Sequence, residues 1–292
     1  SKLYIEPNKC FYHNNEWKIS TRSCIGARNR WFSNKSFVDM FNECKNFDME
    51  KLDKECCYSF VLTHKDNRIV KEYNESGICL VYAMRKTETS EGRVFDNLDI
   101  KQVQSDLKKL NIVVNIPETI TFSSYEDARI NVNKLDYQEQ GYVFKMEGFR
   151  SKLRNINYDW VKRLRGNTNN MKYLYLELRQ NNALNDYEKF FPEHKEMFNY
   201  FQNELYGMTH NLFKFYKDLH VNKTKKIQDI PFEYRRILFS IHGIYLADPS
   251  QPTTFARIKN FVNRMDVPHQ MFVINYKYRP QRQETNETQQ VA

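Results

Sequence analysis

The stretch GYVF at Gly141–Phe144, followed by SKLRNINY at Ser151–Tyr158, predicts two neighbouring strands. Side chains alternate along a strand with a period of two, so Lys152 and Arg154 lie on the same face. Two adjacent cations repel each other unless an anion lies between them, and a polyphosphate is the usual anion. A solvated strand face is the plainer interpretation of this basic alternation. Other parts of the sequence decide between the two.

Two upstream segments favour the phosphate site. WKISTRS at Trp17–Ser23 and FVLTHKDNRIV at Phe60–Val70 both precede the glycine strand. Together these segments resemble the collinear motifs of covalent nucleotidyltransferases, most closely RNA ligases of the phage RNA ligase 1 type and their relatives in large DNA viruses. The resemblance covers about residues 1–165, and Asn-Arg-Ile-Val and Lys-x-Arg are its most specific parts.

The resemblance implies ATP-dependent joining of RNA ends. In that family ATP adenylates a lysine, AMP passes to an RNA 5′-phosphate, and a 3′-hydroxyl then displaces the AMP. We therefore expect ATP and Mg²⁺ (or Mn²⁺) as cofactors, and RNA with 5′-phosphate and 3′-hydroxyl ends as the partner. We also expect a cytoplasmic protein without a membrane partner, located in the host cytoplasm if it is viral.

The resemblance also assigns roles to individual residues. Lys152 and Arg154 would be catalytic, because they contact the nucleotide phosphates and orient the pyrophosphate leaving group. The implied nucleotide-binding residues are Arg22, Phe60, Gln140, Gly141, Lys152 and Arg154. For Phe60, stacking on adenine and burial in the core are equally open interpretations. His64 has no carboxylate partner nearby in sequence, so we do not expect it to act in acid–base chemistry.

The sequence departs from the family pattern at its carboxylates and its nucleophile. No Lys-x-Asp/Glu-Gly motif is present, and the chain opens with SKLYI, which resembles the strand that follows this motif. We therefore expect a fragment or processed product that cannot adenylate itself alone. Val61 and Gln140 stand where the family usually has glutamates. Glu139 is one position away, and such a shift reverses the facing of a strand side chain. We predict Glu139, with Glu147 as a second candidate, as the metal ligand.

Three functions follow from these matches and departures. The first is an RNA ligase. The second is a catalytically degenerate protein that binds RNA or recognises RNA ends. The third is an mRNA guanylyltransferase or a DNA ligase. Enzymes of this third kind usually append a β-barrel after the cationic strand, whereas this sequence becomes helical there, and a helical appendage fits RNA joining better.

Composition and charge agree with a folded protein that binds polyanions. The 292 residues are 40% hydrophobic and 15% aromatic, and they carry a net charge of +9. A surplus of this size attracts nucleic acid, although it also serves solubility. The cations cluster within sixteen positions, and from this cluster we predict RNA contacts by Arg150, Lys162, Arg163 and Arg165. The six cysteines are not spaced as metal ligands are, and this indicates reduced, mostly buried thiols.

The order of helices and strands predicts an α+β fold in two parts. We expect a nucleotidyltransferase (adenylation) domain over residues 1–166, with antiparallel sheets flanked by helices. A mainly α-helical domain would cover residues 167–279, and the polar tail 280–292 would be disordered.

Periodicity places individual elements within these parts. In the first part we expect a hairpin of Lys2–Glu6 and Glu16–Thr21, helices at Phe37–Cys44, Ile100–Leu110 and Ser124–Leu135, strands at Tyr58–Leu62, Ile78–Met84 and Ile112–Ile116, and a surface loop over 86–99. In the second part we expect one long helix over Asp186–Val221, helices at Pro231–Tyr245 and Thr254–Arg264, and a strand at Met271–Tyr276.

Overall fold

The computed structural model describes residues 8–146 and 149–279, which divide into two compact units at Asn169 and Asn170. This described part contains ten α-helices, a five-stranded antiparallel sheet and a two-stranded sheet. The predicted mixture of helices and antiparallel strands is therefore confirmed. The strand predicted at Lys2–Glu6, Glu147 and the tail 280–292 lie outside the described residues. None of the helices in the described part combines the length and apolar character needed to cross a membrane.

The first unit holds the larger sheet. Its strands are β1 (Asn8–His13), β2 (Glu16–Ser20), β3 (Cys56–Thr63), β4 (Gly77–Thr89) and β5 (Gly92–Asn97). They lie in the order β2-β1-β3-β4-β5, and each pair of neighbours is antiparallel. Asn14 and Asn15 turn β1 into β2 with φ angles of 51° and 62°, which asparagine tolerates better than most residues. The strand that pairs with β2 across this turn is Asn8–His13, whereas the sequence predicts this strand at Lys2–Glu6.

Two helices cover the core of this sheet. Helix α1 (Phe37–Cys44) starts at Ser36, which forms a capping box with Asp39. Helix α2 (Ile100–Lys109) buries Val103 and Leu107 in the same core. Phe60 and Leu80 are fully buried at its centre, on the paired strands β3 and β4.

Two predictions for this unit are wrong. Residues 86–99 are not a loop, because the end of β4 pairs with β5 to form a hairpin. All six residues of β5 are exposed, so this edge strand has no buried face to give the sequence an alternating pattern. Ile112–Ile116 is not a strand either, since only Asn115 makes a bridge, to Cys79.

The second half of the first unit supplies the smaller sheet. Helix α3 (Tyr125–Asn133) is capped by Ser124, as predicted. The antiparallel strands β6 (Gly141–Met146) and β7 (Phe149–Arg154) follow, and helix α4 (Ile156–Arg165) begins directly after β7.

The second unit is helical. Its helices are α5 (Met171–Gln180), α6 (Leu184–Phe190), α7 (Lys195–Tyr216), α8 (Phe232–Ala247), α9 (Phe255–Arg264) and α10 (Val267–Tyr276). The single helix predicted over Asp186–Val221 is wrong, because the chain breaks between α6 and α7 at Phe191-Pro192. A proline disfavours the helical conformation at the residue before it, and Phe191 has φ −132° and ψ 59°.

The strand predicted at Met271–Tyr276 is also wrong. The segment belongs to α10, which is capped by Asp266 and has a proline in its first turn. Val273 and Ile274 are both buried. A short apolar run of this kind has no periodicity that separates a strand from a buried helix.

Candidate functional site

A glycine sets the geometry of the β6–β7 pair. Gly141 lies opposite Arg154 with φ +122°, a conformation that side-chain-bearing residues rarely adopt. A Cβ atom at this position would lie 2.1 Å from the backbone oxygen of Leu153. The backbones of the two strands can therefore approach this closely only with glycine at position 141.

Asn155 fixes the junction between β7 and α4. Its side chain is fully buried and caps α4 by accepting a hydrogen bond from the backbone N–H of Asn157 (3.0 Å). Its Nδ2 donates to the backbone oxygens of Asp136 (2.8 Å) and Glu139 (2.9 Å). One side chain thus holds the loop before β6, the end of β7 and the start of α4 together.

Helix α4 presents a polar face beside this junction. Tyr158, Asp159 and Lys162 are spaced so that they lie on one side of the helix. The Gln140 side-chain amide donates to the Tyr158 hydroxyl (2.6 Å). Burial of this tyrosine raises its pKa to about 12, so the hydroxyl stays protonated over the physiological range.

A cavity of about 620 Å³ opens against these elements, and all of its lining residues belong to the first unit. The basic residues that line it are Arg22, Lys152, Arg154 and Lys162. Asp159 is the one carboxylate among the lining residues, and it lies 3.6 Å from the Arg154 guanidinium. With four cations and one anion, the cavity carries a positive charge that suits an anionic ligand.

The lining also contains aromatic and apolar residues, which we call the aromatic wall. It consists of Trp31, Phe32, Phe37, Ile69 and Tyr158. The ring centroids of Trp31 and Phe32 are 5.1 Å apart. Phe32 has φ +53°, and its backbone N–H donates to the Asn169 side-chain oxygen (3.1 Å). Such a wall can pack against a planar group while the cations hold phosphate oxygens.

Asn67 adds a buried hydrogen-bonding group to the same cavity. The residue is 9% exposed and lines the cavity, and its Oδ1 atom has no hydrogen-bond partner. Buried polar atoms are nearly always hydrogen-bonded, so an unpaired acceptor here favours a ligand with an N–H or O–H donor.

The structure brings five of the predicted site residues to one cavity. These residues are Arg22, Gln140, Lys152, Arg154 and Lys162. The facing predicted from the period-two spacing is observed, since Lys152 and Arg154 both line the cavity. Gly141, Arg150 and Arg163 are not among the lining residues. Arg150 instead places its guanidinium 5.1 Å from the centre of the Tyr82 ring.

Two predicted site residues have structural roles instead. Phe60 is 0% exposed and packs against Phe41 and Phe47, so its side chain belongs to the core and does not line the cavity. Arg165 is only 6% exposed, and its guanidinium lies 4.1 Å from the centre of the Phe32 ring. This contact supports the aromatic wall and leaves Arg165 unsuited to a surface contact with RNA.

The predicted metal ligand is also engaged elsewhere. Glu139 forms a 2.7 Å ion pair with Lys71 and does not line the cavity. Across residues 8–146 and 149–279, no group of three or more His, Cys, Asp or Glu side chains is arranged to hold a metal ion. Magnesium often needs only one or two carboxylates in addition to substrate phosphates, and Asp159 is the lining residue of that type.

His64 has partners that its sequence neighbourhood did not reveal. It is 2% exposed, and its Nε2 lies 3.0 Å from the Glu43 carboxylate, which α1 supplies. Its Nδ1 accepts a hydrogen bond from the backbone N–H of Asp66, so Nε2 carries the proton. Lys35 forms ion pairs with the carboxylates of Glu43 and Asp66. The network fastens α1 to the loop after β3 and lies outside the cavity.

Sequence reasoning missed four aromatic lining residues, Trp31, Phe32, Phe37 and Tyr158. Trp31 and Phe32 directly follow Arg28-Asn29-Arg30, and this mixture of basic and aromatic residues is a signal that could have identified them. Phe37 was assigned to a helix without a role in binding. A comparison with protein-family models and with curated protein sequences returns no match for this chain.

Proposed function

We propose that this chain binds ATP in the cavity of its first unit and contributes the adenylation domain of an ATP-dependent RNA ligase. One observation carries the proposal: cations from three separate segments, at Arg22, Lys152–Arg154 and Lys162, meet beside an aromatic wall. The RNA ligase motifs quoted from the sequence include two of these segments. A nucleoside triphosphate has the matching parts, a planar base and a polyanionic tail.

The lining residues would divide the work of binding a nucleotide. Lys152 and Arg154 would hold the phosphates and stabilise the charge that develops on departing pyrophosphate. Arg22, in the segment Trp17–Ser23, would bind the same phosphates. The aromatic wall would pack against the base, and the unpaired Asn67 oxygen would accept a hydrogen bond from an exocyclic amine such as that of adenine.

In the reaction that the resemblance implies, a lysine amine attacks the α-phosphorus of ATP. A phosphorus–nitrogen bond forms, the bond from the α-phosphorus to the bridging oxygen breaks, and pyrophosphate leaves. The Lys-x-Asp/Glu-Gly motif that supplies this lysine is not among the 292 residues. We therefore assign nucleotide binding and leaving-group stabilisation to this chain and leave the nucleophile unassigned.

A second candidate is a protein that binds nucleotide or RNA ends without catalysing ligation. The observation in its favour is the loss of two carboxylates from the motifs. Val61 is buried at 2% exposure, and the Gln140 amide is bonded to Tyr158. Neither residue can supply the negative charge of a glutamate to a metal ion.

Equilibrium binding tests the nucleotide site. We expect radiolabelled ATP to bind the chain, and Lys152→Ala/Arg154→Ala to weaken binding at least tenfold, because each lost charge-assisted bond is worth about 1.5–3 kcal/mol. Arg150→Ala/Arg163→Ala is the control, because it removes the same charge nearby at two residues that do not line the cavity. Equal effects in the two variants, or tighter binding of GTP than ATP, would contradict the proposal.

A covalent assay separates the ligase from the non-catalytic protein. A polypeptide that joins a Lys-x-Asp/Glu-Gly segment upstream of this chain is mixed with ATP and Mg²⁺ and weighed by mass spectrometry. A ligase gains the mass of one AMP on that lysine. ATP binding without any gain in mass favours the second candidate.

A further inference from the structure

Helix α9 in the second unit has an unusual charge pattern. It contains Arg257, Lys259 and Arg264 and no acidic residue. Ile258 and Val262 are buried beneath it. The opposite face, with Ala256, Lys259 and Asn260, is exposed. Lys259 and Arg264 are exposed and Arg257 is half-buried, and we call these three cations the basic ridge of the helix.

A cavity borders this ridge on each side. The first, of about 470 Å³, lies against α8 and is lined by Tyr245, Arg257, Asn260, Phe261 and Arg264, among others. The second, of about 490 Å³, lies against α5 and α7 and is lined by Arg179, Tyr206, Phe255 and Lys259, among others. Among the residues that the structure describes, neither lining contains an aspartate or a glutamate. Both volumes fall within the range of about 300–1,000 Å³ typical of ligand sites.

Aromatic residues accompany the cations in both cavities. Arg257 and Arg264 are seven residues apart, about 10 Å along the helix, and Phe261 lies between them on the same side. In the second cavity, Tyr206 is 59% exposed and its ring centroid is 5.9 Å from that of Phe255. Phe261 is half-buried. Cations beside aromatic rings that line an open cavity are typical of surfaces that bind single-stranded nucleic acid, since bases stack on the rings and phosphates meet the cations.

We propose that α9 and its two flanking cavities bind a single-stranded segment of RNA. The choice of RNA as the nucleic acid rests on the function proposed above. An acidic peptide would satisfy the cations but would leave the aromatic rings without planar groups to stack on. The binding is sequence-tolerant, because every base offers a face for stacking.

The salt dependence of RNA affinity tests this inference. We expect Arg257→Gln/Arg264→Gln to weaken binding of a fluorescently labelled single-stranded RNA about tenfold at physiological salt. The slope of log affinity against log salt should also fall by about 1.4, because single strands lose about 0.7 per phosphate contact. Lys226→Gln/Arg236→Gln is the control, because it removes two exposed charges that line neither cavity. We expect less than a twofold change in affinity from it.

The stacking part has its own variant. Phe261→Leu should weaken RNA binding several-fold and leave the salt slope unchanged, because it removes a ring and no charge. Thermal unfolding of each variant confirms that it is folded. If the α9 variants match the control, or if RNA binding is insensitive to all of them, the inference is overturned.

The test is independent of the nucleotide site. Wild-type chain that fails to bind ATP but binds RNA through α9 would remove the ligase proposal and leave this one standing. Loss of RNA binding in Lys152→Ala/Arg154→Ala, with no effect of the α9 variants, would overturn the α9 inference and leave the ligase proposal standing.

Discussion

The cavity of the first unit and the α9 surface of the second each gather four cations beside aromatic side chains, but they are built differently. The cavity draws its cations from segments more than 100 residues apart in sequence, and it includes the carboxylate of Asp159. The α9 surface takes three of its four cations from a single helix and includes no carboxylate. A site assembled from distant segments fixes the position of one ligand, whereas a charged helix tolerates many positions of a polymer.

The difference has an energetic consequence. The cavity depends on the close approach of β6 and β7 and on the buried side chain of Asn155, so small backbone changes displace its cations. The cations of α9 project from a regular helix whose backbone hydrogen bonds are internal. We therefore expect substitutions that alter the backbone to abolish function in the first unit and to be tolerated in the second.

Alanine in place of glycine gives the largest expected contrast. Gly141→Ala introduces a Cβ atom 2.1 Å from a backbone oxygen at φ +122°, and we expect it to destabilise the first unit by about 4 kcal/mol and abolish ATP binding. Gly243→Ala in α8 is the matched control, because its Cβ meets nothing within 4 Å. Helix propensity predicts a stabilisation of up to about 1 kcal/mol there. Urea unfolding measures both, and a tolerated Gly141→Ala would contradict the close approach.

Two asparagine caps give the next contrast. Asn155→Asp keeps the cap of α4 but removes the Nδ2 donor and buries a charge, and we expect a loss of about 3 kcal/mol with weaker ATP binding. Asn170→Asp at the exposed cap of α5 keeps the acceptor that this cap uses, so we expect a change within about 0.5 kcal/mol. Chemical unfolding and ATP titration measure the pair. Equal losses at both caps would show that the donor bonds of Asn155 contribute nothing.

Much of the fold could be predicted from local patterns. Helix α1, the capped helix α3 and the facing of Lys152 and Arg154 follow from periodicity and capping residues within short windows. The strand β5 and the helix α10 could not be predicted in this way. The first is exposed along its whole length, and the second is an apolar run whose burial hides its period.

The aromatic wall of the cavity was out of reach for a different reason. Phe32 sits in a loop whose conformation depends on a hydrogen bond to Asn169, 137 residues away, and on the ring contact with Arg165. The unpaired oxygen of Asn67 is likewise a consequence of tertiary burial. The basic and aromatic run at 28–32 could have pointed to two of the rings, but no local pattern encodes the tertiary contacts that place them against the cations.

A buried carboxylate in the second unit provides the third contrast. The side chain of Glu204 in α7 is 7% exposed, forms ion pairs with Lys172 (2.6 Å) and Lys277 (3.2 Å), and accepts a hydrogen bond from the Tyr278 hydroxyl (3.1 Å). Burial alone would raise its pKa, but the bonds from the two lysines and Tyr278 hold it below the usual value. The ionised Glu204 carboxylate therefore contributes fully to the free energy of unfolding above its ordinary pKa of about 4.3. This contribution is lost as the pH falls through the lower pKa that the group has in the folded state.

Replacing that carboxylate should disturb the second unit alone. We expect Glu204→Gln to cost about 2 kcal/mol near neutral pH, because two ammonium groups lose their anionic partner, and to remove this part of the acid sensitivity. Glu196→Gln on the same helix is exposed and should be nearly neutral. ATP affinity in the first unit should not change. If Glu204→Gln lowered ATP affinity as much as Asn155→Asp does, the cavity of the first unit would depend on the Glu204 ion pairs of the second unit, contrary to this expectation.

The smallest effect concerns the stacked histidines of the second unit. The ring centroids of His220 and His242 are 3.8 Å apart, and the Nε2 of His220 is buried without a hydrogen-bond partner. Burial lowers the pKa of His220 below its usual value, and the neighbouring His242 lowers it further. The unfolded chain therefore binds a proton at His220 more tightly than the folded chain does. The free energy of unfolding is not reduced by this group above a pH of about 6.5, and it decreases as the pH falls below that value.

His220→Asn should flatten this pH dependence, because asparagine does not titrate. We expect the urea midpoint of the wild type to fall between about pH 7 and 5, and that of the variant to fall less over the same range. His269→Asn is the control, because that histidine is exposed and pairs with Asp266 at 2.7 Å. Equal slopes for the wild type and His220→Asn would show that the stacked pair does not resist protonation.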